Sequence, residues 1–526
     1  MGQWDRWRPG AFALILLLVS SVAFAQVPGR ANPAAAEANR SILNEGLAFL
    51  RANELERART SFETALARDP TFAEAHYQLG IVAERRKDLS AAASSYASAV
   101  RYAPAMAKAH DRFGFVLGQL GRTDEAIREF ERAVQLQPGL FDAQYHLGAT
   151  RWWIRNFAGA LPPLQAAVKL QPEHAEARYY LGLTLEHEGR IDAAIVQLQE
   201  AVRLNPRLAA AQARLAIALQ AVGDLDGAIT HLETAVRIDA SAADAQNNLG
   251  LALSQKGRGD EAVAVLRQLV NTHPTYVPAR LNLGTALMQQ GNLAEAITVY
   301  RTLVELDPAN AEAFYNLGLA LKQHDEFAAA ETALRRAMSL DPSLPEAPFT
   351  LGVVLWQTGR PEEAAQQFRE AIVRKPDYSD AHYMLGTVLK QQGAIDEAVA
   401  EVREAIKYGP SLAEAHLSLG HLLTQQGQTQ VAAAELAEAE RLNRKTADAQ
   451  ASTFAVSVGM QKVKSGDYAG AITQFREALR LAADNPQAHY QLALALQHTG
   501  ARAEARVHFA EAQRLSPRLR VPPDNR

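Results

Sequence analysis

Residues 345–376 read PEAPFTLGVVLWQTGRPEEAAQQFREAIVRKP. With Pro345 as position 1, Leu351, Gly352 and Leu355 fall at positions 7, 8 and 11, and Ala364, Phe368 and Ala371 at 20, 24 and 27. Residues three and four apart stack on one face of an α-helix, so each trio marks the packing stripe of its own helix. Gly359 at position 15 separates the two helices, and Pro376 at position 32 stops the second. The stretch is one helix-turn-helix unit.

Working outward, the alanine of position 20 recurs at every 34th residue from Ala58 to Ala432, then at Ala471 and Ala505, which gives fourteen units. Position 8 is glycine or alanine throughout, as in Gly114, Gly182, Ala216 and Gly459, so a neighbour must press against it. Position 7 is leucine in eleven units, position 24 is bulky in all, position 27 is alanine in twelve, position 15 is glycine in ten and position 32 is proline in eleven. A supersecondary unit copied this regularly predicts a solenoid.

Stretches such as Ala311-Glu-Ala-Phe-Tyr-Asn-Leu-Gly318 and Gly291-Asn-Leu-Ala-Glu-Ala-Ile297 carry a pattern that resembles the tetratricopeptide repeat (TPR), and the resemblance covers residues 39–519. It implies an all-α, right-handed superhelical solenoid whose first helices line a concave groove, with positions 2, 5, 6, 9, 12 and 13 facing that groove. In such families the groove binds other proteins.

Composition sets limits. Hydrophobic residues make up 48% and charged residues 21% of 526 residues, a globular balance. The net charge of −4 and the lack of a long basic run give no electrostatic footprint for nucleic acid. At the amino terminus Arg6 and Arg8 precede an apolar run from Ala11 to about Val22 and then Ala23-Phe24-Ala25. That order predicts a signal peptide over 1–25, cleaved after Ala25, with export to a bacterial periplasm or beyond. A retained membrane anchor is the competing reading, although the run is shorter than the ~20 residues a spanning helix needs. The chain has no cysteine, so neither disulfides nor a lipid-bearing cysteine is available.

Residues 26–38 contain Pro28, Gly29 and Pro33 and read as a flexible lead. Repeats 1–12 occupy 39–446 without insertion. From Gly420 to Gly459 the spacing rises to 39 residues, which places a joint at 447–451, either a hinge or a longer helix. Repeats 13–14 occupy 452–519, and 520–526 form a tail. The remainder leaves no room for a catalytic domain.

The residues offer no catalytic constellation: there is no cysteine nucleophile, G-x-S-x-G elbow, phosphate loop or H-E-x-x-H helix. His76, His110, His382, His416 and His489 all stand at position 4 and read as one structural site copied by duplication, not as metal ligands. Acidic pairs such as Asp124-Glu125, Glu362-Glu363 and Asp396-Glu397 begin second helices, where the helix dipole favours negative charge. No cofactor or metal is expected, and the chain reads as non-catalytic.

Binding is the remaining role. Position 6 is Asn248, Asn282 and Asn316 in three consecutive units. An amide both donates and accepts, so such a row can hold the main chain of an extended peptide, in a short version of the asparagine ladder of O-linked N-acetylglucosamine transferases; asparagine here is also a common family residue. Position 2 is acidic in eight units, including Asp244, Glu312, Asp380 and Glu414, which gives a mildly negative wall or merely a solvated face. Position 2 of these asparagine units and positions 9 and 13 of the third lack the cations of a clamp for chaperone carboxyl termini. Trp152 and Trp153 stand at positions 12 and 13 of repeat 4, Arg155 replaces the turn glycine, and Pro162-Pro163 are expected to interrupt the second helix. Trp356 repeats the aromatic at position 12 in repeat 10. These tryptophans are either binding anchors or local repacking. The reading is a scaffold that holds extended polypeptide segments; alternatives are an accessory subunit of an envelope-assembly, polysaccharide-export or secretion machine, one touching glycan through Trp152 and Trp153, and the recruiting part of a glycosyltransferase whose catalytic chain is separate.

Overall fold

The computed structural model describes residues 33–517, and within them every regular element is an α-helix, 27 in all. The signal peptide, most of the lead and the tail, expected at 1–25, 26–38 and 520–526, lie wholly or largely outside the described residues. The lead is shorter than the sequence suggests, because the first helix already starts at Pro33 (Pro33–Arg51). Proline at a first helical position sacrifices no hydrogen bond.

The repeat register holds residue by residue. In repeat 10 the first helix is Glu346–Gln357 and the second Pro361–Arg374; in repeat 2 the corresponding pair is Ala73–Arg85 and Leu89–Tyr102. Within each unit second helices contact the first helix of the following repeat, and many first helices of adjacent repeats also touch. The chain forms two compact units, one built on residues up to Leu219 with Thr230–Ser241, the other on Gln220–Ile229 with residues from Ala242 onward.

The small residue at position 8 has the predicted neighbour, the bulky side chain at position 24. A Cβ added at Gly352 would lie 2.6 Å from the Phe368 ring, and one at Gly114 2.8 Å from Phe130. Phe368, Phe130, Tyr96, Tyr300 and Leu198 are fully buried as a result, each worth roughly 1.5–3 kcal/mol of transfer free energy. Position 15 takes positive φ in all fourteen units: ten glycines, such as Gly359 at 75°, and Asn53, Lys87, Arg155 and Asp325 at 59–63°. The turn imposes this conformation even where the side chain resists it.

One expectation changes, and of the two readings of 447–451 the longer helix holds. Pro162 and Pro163 do not interrupt the second helix of repeat 4, which runs Phe157–Leu170. Proline at 163 cannot donate to the Gly159 carbonyl four residues back, and the Arg151 guanidinium donates to that oxygen instead, at 3.0 Å. The five extra residues at 447–451 form no connector, because Thr429–Lys464 is one helix of 36 residues. Arg444 stands where ten of the eleven preceding repeats have proline, and nothing else in that stretch breaks a helix.

Candidate functional site: the exposed face of the first helices

Within the second unit, the first helices are tied side to side by two rows of hydrogen bonds, each linking residues 35 apart. One row joins position 5 to position 6 of the next repeat: the Asn282 amide donates to Asn247 Oδ1 at 2.9 Å. The other joins position 12 to position 13: Gln220 donates to Gln255 at 2.7 Å, Ser254 to Gln289 at 2.6 Å, and the Trp356 indole N–H to Gln391 at 3.2 Å. The first unit repeats both rows, with His146 Nδ1 2.8 Å from Asp111 and Arg85 donating to the Leu50 carbonyl at 2.8 Å. Positions 5, 6, 12 and 13 therefore line one lateral seam, as helical phase requires.

The proposed asparagines do not behave alike. Asn282 is engaged by Asn247, whereas the half-buried amides of Asn248 and Asn316 have no hydrogen-bond partner among the described residues. Trp356 belongs to the same unit and is 37% exposed. Trp152 and Trp153 belong to the first unit, and the structure separates their roles. Trp153 is 45% exposed. Trp152 packs against Tyr180 and Phe157, with ring centroids 5.6 and 6.3 Å apart, and its indole N–H is buried without a partner. Of the two readings, local packing fits Trp152, and exposure leaves Trp153 available as a binding anchor.

Charge divides the same surface. Glu312, Glu346, Asp380 and Glu414 at position 2 enter no ion pair among the described residues, and Asp244 accepts from the Tyr276 hydroxyl at 2.5 Å. On second helices several acids are neutralised: Glu261 by Arg258, Glu295 by Arg267 and Glu363 by Arg360, each at 2.7 Å. Glu125 is held below the usual carboxylate range, mainly by its hydrogen bond from Arg122. Glu125, Glu261, Glu295 and Glu363 are thus each half of an arginine pair, while Asp260 and Asp396 accept from Gln290 and Gln426.

Position 4 proves to be a staple between repeats. His110, His382 and His416 place Nε2 3.1–3.2 Å from the carbonyl at position 32 of the preceding repeat and Nδ1 2.6–2.7 Å from a glutamate at position 23 of their own. Gln144 and Gln212 reach the same carbonyl, at 3.0 Å. For His382, burial acts to lower the pKa, but the hydrogen bonds to Glu401 and the Pro376 carbonyl outweigh it and the net shift is upward. Repeat 14 departs from the pattern: His489 Nδ1 meets His508 Nδ1 at 2.9 Å, and burial together with the His489 charge pushes His508 downward. Among the described residues no group of histidine and carboxylate side chains could hold a metal ion.

Models of the tetratricopeptide repeat match residues 43–107 and 154–209, 107–139, and 221–257 with 459–500. The chain is a tetratricopeptide repeat protein. A model of the C-terminal domain of cilia and flagella-associated protein 70 matches residues 240–456 of the TPR chain. No curated protein matches the TPR chain significantly in sequence. Solved structures similar to it include YrrB, described as a TPR protein with an unusual peptide-binding site, at 25% identity over 35% of this chain and 95% of that one, TM-score 0.33. MamA is similar at 31% identity over 32% of this chain and 97% of its own, TM-score 0.30. Pseudomonas aeruginosa pilF is 20% identical over 40% and 97%, TM-score 0.37. At these TM-scores the overlaps carry no argument about shared function.

Proposed function

We propose that this TPR protein is a non-catalytic scaffold that binds extended polypeptide along the first helices of its second unit. The observation that carries the reading is the pair of half-buried amides, Asn248 and Asn316, which have no partner of their own while Asn282 between them is held in place by Asn247. Each amide is reachable from solvent and uncommitted within the fold, and a peptide main chain offers it both a donor and an acceptor. Backbone capture of this kind is tolerant of sequence, and the exposed Trp356 adds an anchor of low conformational cost. The basic, apolar and small-x-small order of residues 6–25 supports export with cleavage after Ala25 and a place in the bacterial envelope or outside it. The test is capture from an envelope extract by the wild-type chain beside an Asn248→Ala/Asn316→Ala variant. Partners lost only from the variant support the groove; partners kept equally by both move the binding surface elsewhere. Mass spectrometry of the exported chain, finding Gln26 or another residue at its start, tests the address.

A further inference from the structure

Position 13 is glutamine in six consecutive repeats: Gln255, Gln289, Gln323, Gln357, Gln391 and Gln425. All six lie in the second unit, all are exposed, and each sits at the last turn of a first helix. In three of them Oε1 accepts from position 12 of the preceding repeat, namely Gln220, Ser254 and Trp356. Fixing the oxygen fixes the plane of the amide and leaves its NH₂ directed at solvent, a row of donors organised before any ligand arrives.

The neighbouring position 12 supplies charge. Lys322 in repeat 9 and Lys390 in repeat 11 occupy the register that Trp356 occupies between them. Neither lysine enters an ion pair among the described residues, unlike Lys256, Lys407 and Lys462, which bond carboxylates at 2.6–2.8 Å. Lys322 is half-buried, and desolvation pushes its ammonium below the usual lysine range, so a carboxylate brought beside it would relieve an unfavourable state. The acids of position 2 lie ten residues away on the same helices, roughly 15 Å at 1.5 Å per residue, beyond the ~8 Å screening length at physiological salt. They do not repel an anion at the lysine end.

We propose that the carboxyl-terminal ends of the first helices in repeats 7–12 bind an extended acidic polypeptide segment, its main chain held by the glutamine row and its carboxylates by Lys322 and Lys390. The proposal rests on the peptide-groove reading and narrows it to one wall and one charge. Packed helices lie about 8–10 Å apart and a polyproline-II-like extended chain advances about 3.1 Å per residue with three residues per turn, so one repeat spans about three residues and every third side chain faces the same wall. The two lysines then select acids about six residues apart, with an apolar residue midway against Trp356.

The test is fluorescence anisotropy with the full chain and three labelled peptides of alternating Gly and Ser. Each carries a central Leu, flanked three residues to either side by Asp, Asn or Lys. The expected order of affinity is Asp, then Asn, then Lys, with the Asp peptide weakening as salt rises. Lys322→Ala/Lys390→Ala should weaken the Asp peptide by roughly tenfold and leave the Asn peptide unchanged. Gln323→Ala/Gln357→Ala/Gln391→Ala, the glutamines of the three repeats the peptide spans, should weaken all three alike, with an unchanged circular dichroism spectrum. Tightest binding of the Lys peptide, or an Asp peptide indifferent to the lysine variant, would overturn the proposal. If peptides bind but respond only to Asn248→Ala/Asn316→Ala, the groove reading stands and this one falls. If no peptide binds, this proposal falls while the extract experiment decides the groove independently.

Discussion

Repeat 11 and the segment where repeats 12 and 13 meet are built from the same pattern and pack differently. In repeat 11, Ala381 at position 3 is fully buried, Val399 at position 21 is buried, and Ile406 at position 28 is partly covered. Along the long helix Thr429–Lys464 the same positions are Ala433 and Glu440 of repeat 12, both exposed, and Phe454 of repeat 13, which is 72% exposed where repeats 2–12 each bury an alanine. The apolar cores divide at the same place, one running from Val263 to Ala432 and another from Ala455 to Phe509. Positions 3 and 28 are thus stacking positions, while position 21 also admits Glu331 in repeat 9. Those two are apolar where a neighbouring repeat covers them, and a repeat without that neighbour tolerates glutamate at 28, as the end of an array does.

The contrast can be broken most forcefully inside the stacked repeats. Gly352→Val places branched carbons against the Phe368 ring and should cost about 3 kcal/mol. The loss should show as faster amide exchange in repeats 9–11 and leave 455–512 unchanged; equal loss in both would mean one cooperative core. Ala447→Pro, in the exposed middle of the long helix, should cost up to ~3 kcal/mol of local helix stability. Protection at Phe475 and Ala478 should survive it, because their core lies wholly beyond the break. Loss of that protection would show that repeats 13–14 depend on repeat 12 for folding.

A smaller effect separates the two tryptophans of repeat 4. Trp152→Ala removes a ring packed against Tyr180 and should lower stability by about 3 kcal/mol at most, less for being partly exposed. Trp153→Ala should change stability by under ~0.5 kcal/mol; matching melting curves for the two variants would contradict the packing described.

The smallest effect is the response to pH, and its sign differs between repeats 11 and 14. His382 has a raised pKa in the fold, so its contribution is complete below the unfolded value near 6.5 and is lost as pH rises through the raised value. His508 has a lowered pKa; its contribution is present above 6.5 and is lost as pH falls toward the folded value. His489, Glu504 and Arg476 are the charged or titratable neighbours that shift His508. Acidification from pH 7.5 to 5.5 should therefore loosen repeat 14 while repeat 11 holds, as read by exchange of amides flanking each histidine. Glutamate at position 508 should reverse the response of repeat 14.

Much of this was legible at the level of single positions. The pairing of Gly352 with Phe368 and the turn at position 15 follow from spacing alone, because a repeat offers many samples of one packing problem. The groove was only partly legible. Spacing singled out Asn248, Asn282 and Asn316 but could not show that Asn282 is engaged by Asn247, since that contact links positions 35 residues apart. The glutamines of position 13 were equally periodic, and their signal was available to any reading that tallied every groove position. Which of Trp152 and Trp153 packs inward was not legible, because sequence gives the helix but not the radius at which a side chain finds neighbours.

The sequence by itself determined the unit, its copy number and the two helices of each copy, since 34-residue spacing and 3.6-residue periodicity are local properties of the chain. Tertiary structure alone decided how position 4 staples one repeat to the next, that Arg151 takes over the carbonyl freed by Pro163, and that the five extra residues extend a helix instead of making a turn. Those outcomes depend on which donor, acceptor or apolar surface the neighbouring repeat presents, and that information lies a full repeat away along the chain.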